Sequence, residues 1–204
     1  MSLGDRTIRS FTEALADGSP TPGGGAAAAL AGATAAALAE MVCNVTLRDD
    51  DFADVHDELT ERRDDLADLR ATLTDLADED AAAFEAVLEA YRRPSGDPDR
   101  PEAIEAAMTE AAEVPLRTAE ACLAVVDHAA TVAELGNQNA VTDAGAGALL
   151  GRAALEAALY NVDVNLGSLG DEATVEALRT RREALSAEAA AAVERLEVHL
   201  ATVL

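Results

Sequence analysis

Side-chain amides cluster in a few short stretches of this sequence, close to single hydroxyls or acids. Asn44 and Thr46 close MVCNVT; Asn137, Asn139 and Asp143 lie in GNQNAVTD; Asn161 and Asn165 follow in YNVDVN. The last two are one helical turn apart and share a helix face. An amide both donates and accepts, so several amides with one acid suit a heterocycle that does the same. Each also has a plainer use. Asn137 or Asn139 fits a helix N-cap, and Asn165 fits a helix end near Gly167. Asn161 falls inside an apolar helical pattern, where Asn is locally unfavourable and costly to bury unpaired.

A second kind of signal is SPTPGGGAAAALAG, Ser19 to Gly32, which sets three glycines between a proline and a run of alanines. Glycine permits positive φ and close approach, and alanine is the best helix former. Pro22, Gly23, Gly24 and Gly25 therefore read as a bare corner opening onto a helix N-terminus. Such an end offers unpaired N–H donors and partial positive charge, suited to a carbonyl, a ring nitrogen or a carboxylate. Close helix packing is the rival use. The triplet lacks the Lys-Ser/Thr of a phosphate loop and follows no strand. His56, His128 and His199 are isolated, so no metal site is expected. Cys43 and Cys122 fall on apolar helical faces and read as small core residues.

The elements that must position these residues are helical nearly throughout. The periodicity predicts helices over about 7–16, 25–46, 52–92, 101–134, a fifth opened by LGNQNAVTDAG and ending near NLGSLGD, and a last from Asp171 almost to Leu204. RRPSGDPDRP is the clearest break. Proline suits the start of the fourth helix, and Pro115 inside it should kink it. Short loops make sequential helices antiparallel. The expected fold is all-α, one domain over 1–204, an up-and-down bundle of about six helices with a long third helix. The second helix and the middle of the fifth are almost entirely small residues and need cover on most sides, which a homodimer would provide.

The 204 residues can bury a sizeable core. Half are hydrophobic but only 2% aromatic, so that core is built from Ala, Leu and Val. The formal charge is −24, and every basic residue is Arg. That excludes nucleic-acid binding through a basic patch. The acids are spread along all the helices rather than blocked at one end, which reads as adaptation to a salt-rich cytoplasm. The run Ala26–Ala39 is too short and weakly hydrophobic to span a membrane, and the N-terminus has no basic-then-apolar signal. A cytoplasmic protein without membrane partners is expected.

SPTPGGGAAAALAGATAAALAEMVCNVT, DLADEDAAAFEAVLEAYRRP, VPLRTAE and GNQNAVTDAG…ALYNVDVNL occur in order over nearly the whole chain. Together they closely resemble the cyclodeaminase/cyclohydrolase family of tetrahydrofolate enzymes. The specific parts are the P-x-P-G-G-G corner and the G-N-x-N-x-x-[ST]-D segment. The resemblance implies an all-helical dimer with a folate site in which the corner and the Asn/Asp segment take part. Tetrahydrofolate is then a substrate, and no metal or redox cofactor is implied. Many members carry Ser where this chain has Ala26, and basic residues where it has Asp49, Asp50 and Asp51.

Both family reactions pass through a tetrahedral carbon bridging N5 and N10, and both need a carboxylate that exchanges protons beside a cationic centre. Asp143 is the first expectation for that role and Asp80 the second. A solvated helix face is the alternative for Asp80. A cyclodeaminase needs a formimino donor, usually made by a fused or neighbouring transferase. A stand-alone bundle is thus expected to be a methenyltetrahydrofolate cyclohydrolase, with formiminotetrahydrofolate cyclodeaminase as the alternative. A non-catalytic helical scaffold is the reading of another class.

Overall fold

A computed structural model of the chain describes residues 2–203. It contains six α-helices and, among the described residues, no strand. Helix α1 (Ile8–Ala16) starts where the Thr7 hydroxyl accepts from the Ser10 N–H. The chain then turns at Gly18, whose φ of 83° is the left-handed conformation that glycine permits. Helix α2 (Gly24–Thr46) is followed by a short 3-10 turn, Asp50–Val55. Helix α3 (His56–Arg92) begins later than its periodicity predicts, because Phe52 adopts a non-helical backbone and the preceding segment winds as 3-10. Helices α4 (Arg100–Leu135), α5 (Val141–Leu166) and α6 (Glu172–Val203) complete the bundle. Helix α3 has 37 residues and α4 has 36, so the third helix is not alone in its length.

Sequential long helices run antiparallel, as short connections require. Along α2 and α3, Ala26 meets Asp80, and further on Glu40 pairs with Arg70. Along α2 and α5, Gly24 lies beside Asn161 and Gly147 beside Ala35. Along α4 and α5, Ala111 meets Asn165 and Gly151 lies against Val126. Helix α2 thus lies among α3, α4 and α5. Small residues allow this crowding. A Cβ on Gly147 would stand 3.0 Å from the Ala35 carbonyl oxygen, and one on Gly32 would stand 2.6 Å from the Cys122 sulfur.

The bundle covers its Ala-rich helices better than expected from one chain. Ala26, Ala29, Ala35, Ala36 and Ala39 of α2 are fully buried, as are Ala144, Ala148 and Ala158 of α5. What remains open is one stripe of α2, where Leu30 and Ala31 join Ile8 and Phe11 of α1 around a groove of about 540 Å³. Helix α2 continues past Ala39 through Met41, Val42, Cys43 and Val45, and is long and apolar enough to cross a membrane by length and composition alone. More than half of that span is buried here, as in the core helix of a packed bundle. Cys43 and Cys122 are buried and unpaired, and burial pushes their thiols up to about 11 and about 12. They stay protonated at neutral pH and fill space.

Candidate active site

The corner before α2 turns the chain so that the first N–H groups of that helix face the middle of α3. Gly23 is the N-cap, with extended backbone and no side-chain capping bond. The donor that a capping side chain would satisfy is met across the bundle instead. Asp80 of α3 accepts a 2.9 Å hydrogen bond from the Ala26 N–H. Gly25 makes this reach possible, since a Cβ there would overlap the Asp80 carboxylate. None of the three glycines has positive φ, so their absent side chains, not their conformational freedom, are what the corner uses.

A cleft of about 290 Å³ opens above this contact. Its floor and walls are Pro20, Thr21, Gly23, Gly24 and Gly25 of the corner, the Asp80 carboxylate, Ala83, Phe84 and Val87 of α3, Met108 and Ala111 of α4, and Asn161, Val164 and Asn165 of α5. Phe84 and Val164 are partly or largely exposed at the rim. Among the described residues, Asp80 is the only charged side chain in the lining. Burial raises its pKa above the ordinary aspartate value, and the Ala26 N–H partly offsets this by favouring the carboxylate.

Both amides in the cleft are tied at their nitrogen. Asn161 Nδ2 donates to the Ala157 carbonyl of its own helix at 2.9 Å, and Asn165 Nδ2 donates to the Ala111 carbonyl of α4 at 2.6 Å. Each amide therefore turns its Oδ1 away from the backbone that holds it. With Asp80, the cleft presents three acceptor groups on an apolar background. That combination suits a flat, donor-bearing heterocycle with positive charge near the carboxylate.

The remaining expected residues gather at the other end of the bundle. Asn44 lies about 30 Å along α2 from Gly24, and Asp143 about 27 Å along α5 from Asn161. Asn44 borders a shallow hollow with Glu40, Arg48 and Arg70. Thr46 is buried; its hydroxyl donates to the Val42 carbonyl and accepts the Asn137 N–H at 2.9 Å. Asn137 caps the 3-10 turn Gln138–Ala140 by accepting the Asn139 N–H, the capping use its sequence allowed. Asn139 is exposed, and Asp143 is half-buried in the first turn of α5. Pro22 is buried beneath the corner, joined to Thr21 by a cis peptide bond. The structure thus brings Gly23, Gly24, Gly25, Asp80, Asn161 and Asn165 into one cleft and leaves Asn44, Thr46, Asn137, Asn139 and Asp143 outside it.

Sequence reasoning missed the apolar walls and the backbone carbonyl of Ala111. Phe84 carried a usable signal, as one of only three phenylalanines and four residues from Asp80 on α3. Met108 and Ala111 carried none, because nothing local marks which turn of α4 faces α5.

The fold and cleft define an all-helical bundle with a pocket built around one half-buried carboxylate. Comparison with known proteins narrows this class. The sequence profile described as Formiminotransferase-cyclodeaminase matches residues 7–184. The chain is 41% identical over 197 residues to the methenyltetrahydrofolate cyclohydrolase of Methylorubrum extorquens, covering 95% of each chain. It is 31% identical to the formimidoyltransferase-cyclodeaminase of Rattus norvegicus, matching 92% of this chain but only 36% of that protein. The crystal structure of formiminotetrahydrofolate cyclodeaminase from Thermotoga maritima superposes with a TM-score of 0.90, at 31% identity over 98% of both chains. The chain belongs to the formiminotransferase-cyclodeaminase family.

Proposed function

We propose that the protein is a methenyltetrahydrofolate cyclohydrolase and that the cleft at the start of α2 is its active site. The observation that carries this reading is a single half-buried carboxylate, Asp80, in a lining with no other charge among the described residues. The methenyl substrate is a cation, and a lone carboxylate in an apolar setting favours a cationic centre more than water does. Likeness over nearly the full length of a named cyclohydrolase supports the choice of reaction.

In this reading the pterin end of the substrate enters the cleft and the rest of the folate leaves over the rim. The N–H groups of Gly24 and Gly25 are the donors at the helix start, and the two Asn Oδ1 atoms and Asp80 are the acceptors. Water adds to the methenyl carbon as Asp80 takes one of its protons. The carbon becomes tetrahedral and neutral. Asp80 then returns a proton to N5 as the N5–carbon bond breaks, and the hydroxyl proton leaves to solvent. The product is 10-formyltetrahydrofolate, with one proton released per turnover. The substrate carries the one-carbon unit itself, and no separate cofactor is invoked. Asp143, the first expectation for proton exchange, has no part in this cleft.

The likeness to the Thermotoga maritima protein favours a second reading, formiminotetrahydrofolate cyclodeaminase. There N10 attacks the formimino carbon and ammonia departs. The test is to follow loss of methenyltetrahydrofolate absorbance and, separately, ammonia release from formiminotetrahydrofolate. Hydrolysis above the spontaneous rate without ammonia release supports the cyclohydrolase; the reverse pattern establishes the cyclodeaminase. The same reading includes a homodimer, in which a second copy covers the apolar groove between α1 and α2.

A further inference from the structure

The carbonyl that holds Asn165 has no N–H of its own helix to accept, because of a proline. In an α-helix the carbonyl of residue 111 would accept the N–H of residue 115. Residue 115 is Pro, buried in the middle of α4, and it has no N–H to give. The Ala111 carbonyl accepts from Asn165 Nδ2 of the neighbouring helix instead, at 2.6 Å. A carbonyl can only accept, so it fixes which end of the amide faces it. The Asn165 Oδ1 is thereby committed as the free end.

We infer that Pro115 is a positioning residue. By withholding its N–H it reserves the Ala111 carbonyl for Asn165, and so fixes the Asn165 amide with its acceptor available to an N–H of the substrate. The helical hydrogen bond that Pro115 cannot donate is replaced at the Ala111 carbonyl by one from α5. Asn161 instead shares the Ala157 carbonyl, one already inside the helical ladder of α5. The inference rests on the folate reading of the cleft only for its kinetic consequence; the link between Pro115 and Asn165 stands on geometry.

The test uses Pro115→Ala, Asn165→Ala and the double variant. In Pro115→Ala the new alanine supplies the missing N–H, which draws the Ala111 carbonyl back into the helical ladder and leaves Asn165 a shared, weaker acceptor. KM for methenyltetrahydrofolate should rise roughly two- to tenfold, the worth of one neutral hydrogen bond, with a smaller change in kcat. The melting temperature should hold or rise, because proline is the least favourable residue in a helix interior. On the Asn165→Ala background, Pro115→Ala should change KM no further, since the group it acts through is gone.

A second readout needs no substrate. The Asn165 side-chain amide signals, identified by their loss in Asn165→Ala, should shift and exchange faster with solvent in Pro115→Ala. Unmoved amide signals, or effects on KM that add in the double variant, overturn the inference. Moved signals with an Asn165→Ala enzyme of unchanged KM uphold the link and overturn the folate reading of the cleft instead.

Discussion

The Asp80 carboxylate is held at one oxygen by the Ala26 N–H and shares its cleft with glycine backbone, apolar side chains and two amides. Burial raises its pKa, so folding favours its protonated form. The sign of the stability effect follows. The contribution is fully present below the ordinary aspartate value and is lost as pH rises through the raised folded value. Above that window the ionised group is a net cost to the fold, retained for chemistry. Asp80→Asn keeps an acceptor for Ala26 but removes the charge. We expect the variant to melt at or above the wild-type temperature at neutral pH while turnover falls roughly 10²–10⁴-fold, the usual worth of general acid–base catalysis. The acidic limb of the wild-type rate profile should lie above the ordinary aspartate value and vanish in the variant. Thermal melts and pH–rate profiles check both, and near-normal turnover in Asp80→Asn would remove Asp80 from the proposed role.

The start of α2 separates the two uses that a glycine corner can have. At Gly25 the reason is close approach by the protein itself, because a side chain would displace the Asp80 carboxylate. At Gly24 an added Cβ would sit 3.6 Å from Asn161 Nδ2, ordinary contact distance, on the wall of the cleft. Gly25→Ala should therefore lower both stability and turnover, since the carboxylate must move off its Ala26 donor. Gly24→Ala should leave the melting temperature nearly unchanged and weaken substrate binding. Titration with tetrahydrofolate beside a thermal melt distinguishes them. A Gly24→Ala protein that melts early yet binds normally would make that position a packing contact.

Across the whole molecule the charge is −24, and the observed ion pairs lie largely at the surface, where each contributes little. The excess carboxylates repel one another, and only salt screens them, over about 10 Å at 0.1 M and about 3 Å at 1 M. The melting temperature should fall as salt is lowered from molar to millimolar. A dimer seen by light scattering in molar salt should weaken in parallel, because each copy carries the same excess charge to the α1–α2 groove. Melting that ignores salt would overturn the reading of the acidity as adaptation to a salt-rich setting.

Helical periodicity, proline and glycine breaks and small-residue runs were enough to give six helices, their order and their antiparallel course, because each of these follows from local spacing and short loops. The glycine corner and the pair Asn161 and Asn165 were legible for the same reason, as local departures from an apolar helical pattern. Which of the two expected acids lies beside them was not legible. Asp143 shares a helix with Asn161, yet a helix is rigid and advances about 1.5 Å per residue, so sequence neighbours on α5 end far apart. Asp80 lies on a different helix, but the antiparallel pairing of α2 with α3 brings it to the Ala26 N–H. The Pro115 reading changed similarly. Sequence alone gives a proline that removes a hydrogen bond from α4; only packing of α5 against that turn turns the freed carbonyl into the anchor of Asn165.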